Sequence, residues 1–113
     1  MEIQHTIQGS TLIIALLDKR FDVISSTQLK NKVLALIEES QLNDVILDLH
    51  HIEFIDSAGL VCFLSLWKEL SRKKGNLKFA SLTAQVRQVI ELVLLNRVFD
   101  IYQDVDNALS DRI

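Results

Sequence analysis

Apolar and polar positions alternate weakly over residues 2–8, where Ile3 and Ile7 fall on one side. Gly9-Ser10 separates this stretch from the apolar run "TLIIALL", residues 11–17. The pair predicts a β-hairpin, the first two strands. Residues 18–25, "DKRFDVIS", read as a loop. In "SSTQLKNKVLALIEES" Leu29, Val33, Leu36 and Ile37 recur at helical spacing. They predict a first helix over about 26–40, with Ser25 or Ser26 as its N-cap. "DVILDL", 44–49, predicts a central strand covered on both faces.

The chain crosses "HHIEFIDS" into a second helix over about 58–73, with Leu60, Phe63, Leu64, Trp67 and Leu70 on its apolar face. Lys68, Glu69, Arg72 and Lys73 fall toward the far side and the C-terminal end, and Gly75-Asn76 marks the stop. "LKFAS", 77–81, predicts another strand. Thr83 predicts the cap of a third helix over about 84–94, with Val86, Val89, Ile90 and Val93 facing inward. "VFDIY", 98–102, predicts a short last strand, and "DVDNALSDRI" a terminal helix capped by Asp104. Trp67 and the Leu92–Leu95 run read as packing residues, and "VLLNRVF" as core rather than an exposed contact patch. The order β-β-α-β-α-β-α-β-α implies an α/β fold: a mixed, mostly parallel sheet with an antiparallel N-terminal edge and about four helices.

Composition narrows this further. The 113 residues read as a single domain, and the 49% apolar fraction suffices for a core without disulfides or metals. No run reaches the roughly 18 apolar residues of a membrane helix, and "MEIQHTIQGS" does not read as a secretory signal. The single cysteine, Cys62, forms no internal disulfide, which fits a reducing, cytoplasmic setting. The net charge of −3 gives no electrostatic footprint for nucleic acid.

The chemistry concentrates in "IEFIDSAGL", 52–60, where a polar, small-residue break joins two apolar segments. A serine before an apolar helix is first of all an N-cap. Here the capping-box position carries Leu60 rather than Glu or Gln, and Gly59 is a poor helix former. Small residues at 58 and 59 leave room for another molecule to approach Ser57. Helix N-termini favour phosphate, and a phosphoserine adds about −1.5 to −2 charge beside Asp56. A modification at Ser57 would be quiet for folding and loud for binding.

Other chemistries fit less well. A receiver domain would use Asp48 as acceptor, but the early strand offers only Asp18 as a further acid and "VFDIYQD" offers no lysine. A serine hydrolase elbow needs glycine where Ile55 stands. His50 and His51 read as solvated loop residues, His5 is isolated, and nothing near Cys62 suggests an activated thiolate. No cofactor or metal is expected.

The segment "VILDLHHIEFIDSAGLVCFL" resembles the signature of STAS-domain anti-sigma factor antagonists: an apolar strand ending in Asp-Leu, then an Asp-Ser-small-Gly-Leu step into a helix. "RFDVISSTQLKNKV" and "LKFASLTAQVRQVIELVLLNRVFDIYQDVDNAL" are similar to the flanking regions of that family. The chain departs at Lys19 and Val61, where the family often has glycine, and at Thr83-Ala84, where it often has proline. The resemblance implies a STAS fold and a non-enzymatic, phosphorylation-switched binding module. Ser57 matches the phosphoacceptor. The implied partner is an anti-sigma factor that is also a serine kinase, bound while Ser57 is unphosphorylated and released afterwards, with a phosphatase resetting the cycle. Asp22 matches the loop acid implicated in partner contact, and Asp56 the acid before the acceptor. Ala58, Gly59, Val61 and Cys62, with Ser65 beside them, complete the expected partner-binding surface. No direct nucleic-acid contact or membrane insertion is expected, and a weak homodimer is compatible with the sequence. The alternative is a constitutive STAS subunit of a transporter or multiprotein signalling complex.

Overall fold

The computed structural model describes residues 1–111. Strands β1 (Ile3–Gln8) and β2 (Thr11–Leu16) form the antiparallel hairpin. Gly9, at φ 61°, occupies the first central position of its two-residue turn, as a type II′ turn requires. β3 (Arg20–Phe21) precedes helix α1 (Val23–Ser40), followed by β4 (Asp44–Asp48), β5 (Phe54–Ile55), α2 (Ser57–Arg72) and β6 (Asn76–Ala80). Then come α3 (Ala84–Leu92), a 3₁₀ turn (Leu95–Arg97), β7 (Asp100–Tyr102) and α4 (Val105–Ser110). The main sheet has the order β1-β2-β4-β6-β7, antiparallel only at β1–β2. This is the expected mixed sheet with four helices.

The period-two alternation divides the sheet into two faces. Leu12, Ile14, Leu16, Val45, Leu47, Leu77 and Phe79 point to one face and pack with Leu29 and Val33 of α1, Phe63 and Leu66 of α2, and Val86 and Ile90 of α3. Ile13, Ile46 and Ala80 point to the other, where Ala108 of α4 covers them. β4 is therefore buried on both faces, as its run of apolar residues implied. Phe21, Phe63, Phe79 and Phe99 form a chain of ring contacts with centroid spacings of 4.9, 5.0 and 4.6 Å.

Four expectations need correction. Residues 18–25 are not all loop: β3 pairs in parallel with β5 as a separate two-stranded ladder, Arg20 opposite Phe54 and Phe21 opposite Ile55. α1 starts earlier than expected, and its N-cap is Asp22, not Ser25 or Ser26. α2 ends in a Schellman arrangement in which Gly75 N–H donates to Leu70 and Lys74 N–H to Ser71, and the left-handed residue is Lys74 (φ 61°), not Gly75. Finally, α3 stops at Leu92 and the chain turns through Leu94 at φ 63°. Leu92 is 83% exposed, and Val93, Leu94 and Val98 are exposed too, so only Leu95 and Phe99 of this segment turn toward the core. Thr83 caps α3 and Asp104 caps α4 as expected.

Candidate functional site

The β3–β5 ladder delivers the two chain segments of the site. Phe21 is fully buried and stacks on Phe63, which anchors the ladder to the core. The backbone N–H groups of Glu53 and Phe54 donate to Lys19 O, and that of Asp56 to Phe21 O. Arg20 lies over the Phe54 ring at 4.2 Å. The residue after each strand is an aspartate, and each aspartate caps the helix that follows.

Asp22 heads α1 with a capping box. Its carboxylate accepts from the N–H groups of Ile24 and Ser25, both at 3.2 Å, while its own N–H donates to Ser25 Oγ at 2.9 Å. The Ser25 N–H bond is the largest influence holding the Asp22 carboxyl below its ordinary 3.8; the Ser25 hydroxyl, the Ile24 N–H and the Arg20 charge assist, and partial burial opposes. Asp56 heads α2, and its carboxylate accepts from Gly59 N–H at 2.9 Å. The cap of α2 is thus Asp56, not Ser57. Ser57 is the first helical residue, exposed, with its hydroxyl left out of the cap bond.

Ser57, Ala58, Val61 and Cys62 meet in one groove between α1 and α2, about 390 Å³ in volume, with Thr27, Lys30 and Ser65 opposite and beside them. Lys30 Nζ donates to Ser65 Oγ at 2.7 Å. Asp22 lies outside this groove, in the neighbouring depression with Arg20, Ile24 and Gln28. Gly59 is buried, so its small size does not serve an incoming molecule. A Cβ there would stand 2.7 Å from Ile55 Cγ1, 2.8 Å from Phe21 Cδ2 and 2.9 Å from Phe21 O. Gly59 lets α2 close onto the β3–β5 ladder. Cys62 is almost buried and donates to Ser26 O at 3.3 Å. Burial pushes its thiol up to about 11 against a smaller opposing pull from Lys30.

The sequence reading missed the exposed apolar residues at the two strand-to-helix junctions. Val23 and Ile24, in the first turn of α1, are 60% and 70% exposed, and Phe54 is also exposed. Val61, which was anticipated, is 64% exposed. Val23 and Ile24 do not fit the Leu29–Val33–Ile37 face, and that mismatch was the available signal. Asp48, the would-be receiver acceptor, binds His50 through its N–H at 3.3 Å and its Nδ1 at 2.9 Å, closing the strand end. Among the described residues no cluster of three His, Cys, Asp or Glu side chains could hold a metal, and no helix is long and apolar enough to cross a membrane.

A sheet with α1 to α3 on one face, and an exposed serine opening the helix after a short strand, define the class. The chain belongs to the STAS domain family, whose model matches residues 2–108. It is 24% identical over 100 residues to the anti-sigma F factor antagonist of Paenibacillus polymyxa, covering 88% of this chain and 86% of that one. Its fold is similar to that of the Bacillus protein SpoIIAA in the unphosphorylated form, at TM-score 0.80 and 20% identity over 96% of this chain and 93% of that one. SpoIIAA is also solved in a phosphorylated form, with TM-score 0.72, 19% identity and 96% of each chain covered. The same fold occurs within the murine anion transporter Slc26a9, at TM-score 0.76 and 18% identity, covering 92% of this chain and 18% of the transporter.

Proposed function

We propose that this chain is an anti-sigma factor antagonist controlled by phosphorylation of Ser57. The observation that carries this reading is the division of labour at the start of α2. Asp56 caps the helix, which leaves the adjacent hydroxyl exposed on a rigid helix terminus. The family membership and the Paenibacillus relative support the antagonist role, and the existence of SpoIIAA in both phosphorylation states supports the switch.

In the unphosphorylated state the partner, an anti-sigma factor with serine kinase activity, docks on Val23, Ile24, Phe54 and Val61, with Asp22, Asp56 and Ala58 as flanking contacts, while Cys62, expected on this surface, is too buried to take part. The antagonist supplies no base or metal. Ser57 Oγ attacks the γ-phosphorus of the partner's ATP, ADP leaves, and the hydroxyl proton passes to a base of the partner. The product places about −1.5 to −2 charge within an apolar contact surface, next to the Asp56 carboxylate. Desolvating that charge weakens docking, and every 1.4 kcal/mol is tenfold in affinity. The helix itself tolerates phosphate, because its first N–H groups carry positive partial charge. A phosphatase returns the serine to its free form.

The test is intact-mass and phosphopeptide analysis of the protein from its native cells, beside Ser57→Ala. One phosphate mapped to Ser57 and lost in the variant is the expected result. An unmodified Ser57 across growth conditions, with co-purification of membrane components, would instead favour a constitutive subunit of a transporter or signalling assembly.

A further inference from the structure

We infer that the free edge of β1 is a self-pairing surface, and that two copies of the chain join there in an antiparallel, two-fold symmetric β-ladder. The direction of the backbone groups follows from the hairpin register. Glu2 O accepts from Leu17 N–H at 3.0 Å, and the pairing runs unbroken from Ile3–Leu16 to Gln8–Thr11. In an antiparallel pair each residue directs its N–H and C=O to one side, and successive residues alternate. Gln4, Thr6 and Gln8 therefore address β2, while Ile3, His5 and Ile7 address the free edge. These three outward residues are symmetric about His5.

Pairing His5 with its own copy sets Ile3 opposite Ile7 of the second copy, and Ile7 opposite Ile3. This register uses all three outward residues. Each of its three pairs exchanges two hydrogen bonds. Residues opposite one another also share a face of the sheet. Ile3, His5 and Ile7 lie on the side of Leu16, Ile14 and Leu12, whereas Gln4 and Thr6 lie on the side of Ala15 and Ile13. The second copy thus meets isoleucine with isoleucine on one face and Gln4 with Thr6 on the other. Ile7 is 52% exposed, so this contact removes apolar surface from water.

Charge and edge protection favour a second copy as the occupant. Edge strands are ordinarily guarded by lysine, proline, inward charges or a bulge. "IQHTIQ" has none of these, although the chain as a whole carries a net charge of −3. The opposite edge is different. β7 has three residues, includes Asp100 and is followed by Asp104 and Asp106, so two such edges repel. No residue of β1 lines the Ser57 groove, so this inference does not depend on the phosphorylation reading.

The experiment is sedimentation velocity of the full chain across concentrations up to about 1 mM, with three variants. Wild type is expected to form a concentration-dependent species of twice the chain mass. His5→Glu and His5→Lys each place like charges opposite one another and weaken the dimer by about fivefold or more. An equimolar mixture of the two restores it as a heterodimer. Ile7→Pro deletes an outward N–H without touching a bond to β2, and abolishes the dimer while circular dichroism and Tm report an intact fold. A wild type that stays monomeric throughout overturns the proposal and leaves the edge to a strand of another protein. Dimers that survive Ile7→Pro, or a charge-swapped mixture that fails to reassociate, overturn it as well.

Discussion

The Asp56 carboxylate accepts a hydrogen bond from the Gly59 N–H at 2.9 Å, and Ser57 stands between them in sequence without sharing that bond. The first prediction follows from this arrangement. Asp56→Ala removes a helix cap and lowers stability by about 1 kcal/mol. Ser57→Ala removes an exposed hydroxyl and changes stability by less than about 0.5 kcal/mol. Urea midpoints of the two variants check the order; the reverse order would return the capping role to the serine.

Ser57→Asp is expected to leave Tm nearly unchanged, since an acid in the first helical turn suits the helix dipole, at a gain of about 0.3–1 kcal/mol that the neighbouring Asp56 charge offsets. Binding to the proposed kinase partner is expected to fall by about tenfold or more, equivalent to about 1.4 kcal/mol. Titration calorimetry with the partner reads this directly, and a phosphomimetic that binds like wild type would remove the switch.

Gly59→Ala sets two effects against each other. Alanine is the better helix former by about 1 kcal/mol. Its Cβ, however, would stand 2.9 Å from the Phe21 carbonyl oxygen as well as meeting Ile55 and Phe21 side chains. Overpacking of this kind costs about 1–3 kcal/mol, and a backbone oxygen within a ladder cannot swing aside. The expected outcome is a net loss of stability, measured by chemical denaturation, with the binding defect secondary to it.

Asp22 gives a pH signature. Its carboxyl sits below 3.8 in the folded chain, so the ionised form is the one that the fold favours. Its contribution is full above the unfolded value and is lost as pH falls through the lower, folded value. The stability difference between wild type and Asp22→Ala should therefore be constant near neutrality and shrink below about pH 4. Midpoints measured from pH 7 down to pH 3 check the sign; a gap that widens in acid would contradict it.

Much of the architecture was legible because burial leaves a periodic trace. The Leu29–Val33–Ile37 face of α1, the two-sided burial of β4 and the caps Thr83 and Asp104 all stand where the pattern put them. What escaped the reading has non-local or single-residue causes. The β3–β5 ladder joins two-residue strands distant in sequence, and two residues carry no periodicity. Asp56 precedes Ser57, which also caps well, and Asp22 stands three residues before Ser25, so each helix start turned on the choice between an aspartate and a nearby serine. Leu92, Val93 and Leu94 continue the apolar pattern of α3, but Leu94 leaves the helix at positive φ and the run faces solvent. At the site, Ser57 and its neighbours on α2 were singled out in the sequence, whereas the wall that α1 supplies through Thr27 and Lys30 and the burial of Gly59 against Phe21 come from non-local packing.

The short ladder between Arg20–Phe21 and Phe54–Ile55 has a mechanical consequence. It bolts the first turn of α1 to the first turn of α2, and Phe21 fixes the joint to the aromatic chain beneath. The two turns cannot slide past each other without unpairing β3 from β5. On the proposed reading, a docking protein would meet Val23, Ile24 and Val61 at a set spacing, like the pins of one plug. A chemical change at Ser57 alters the charge on that plug while its pins stay in place.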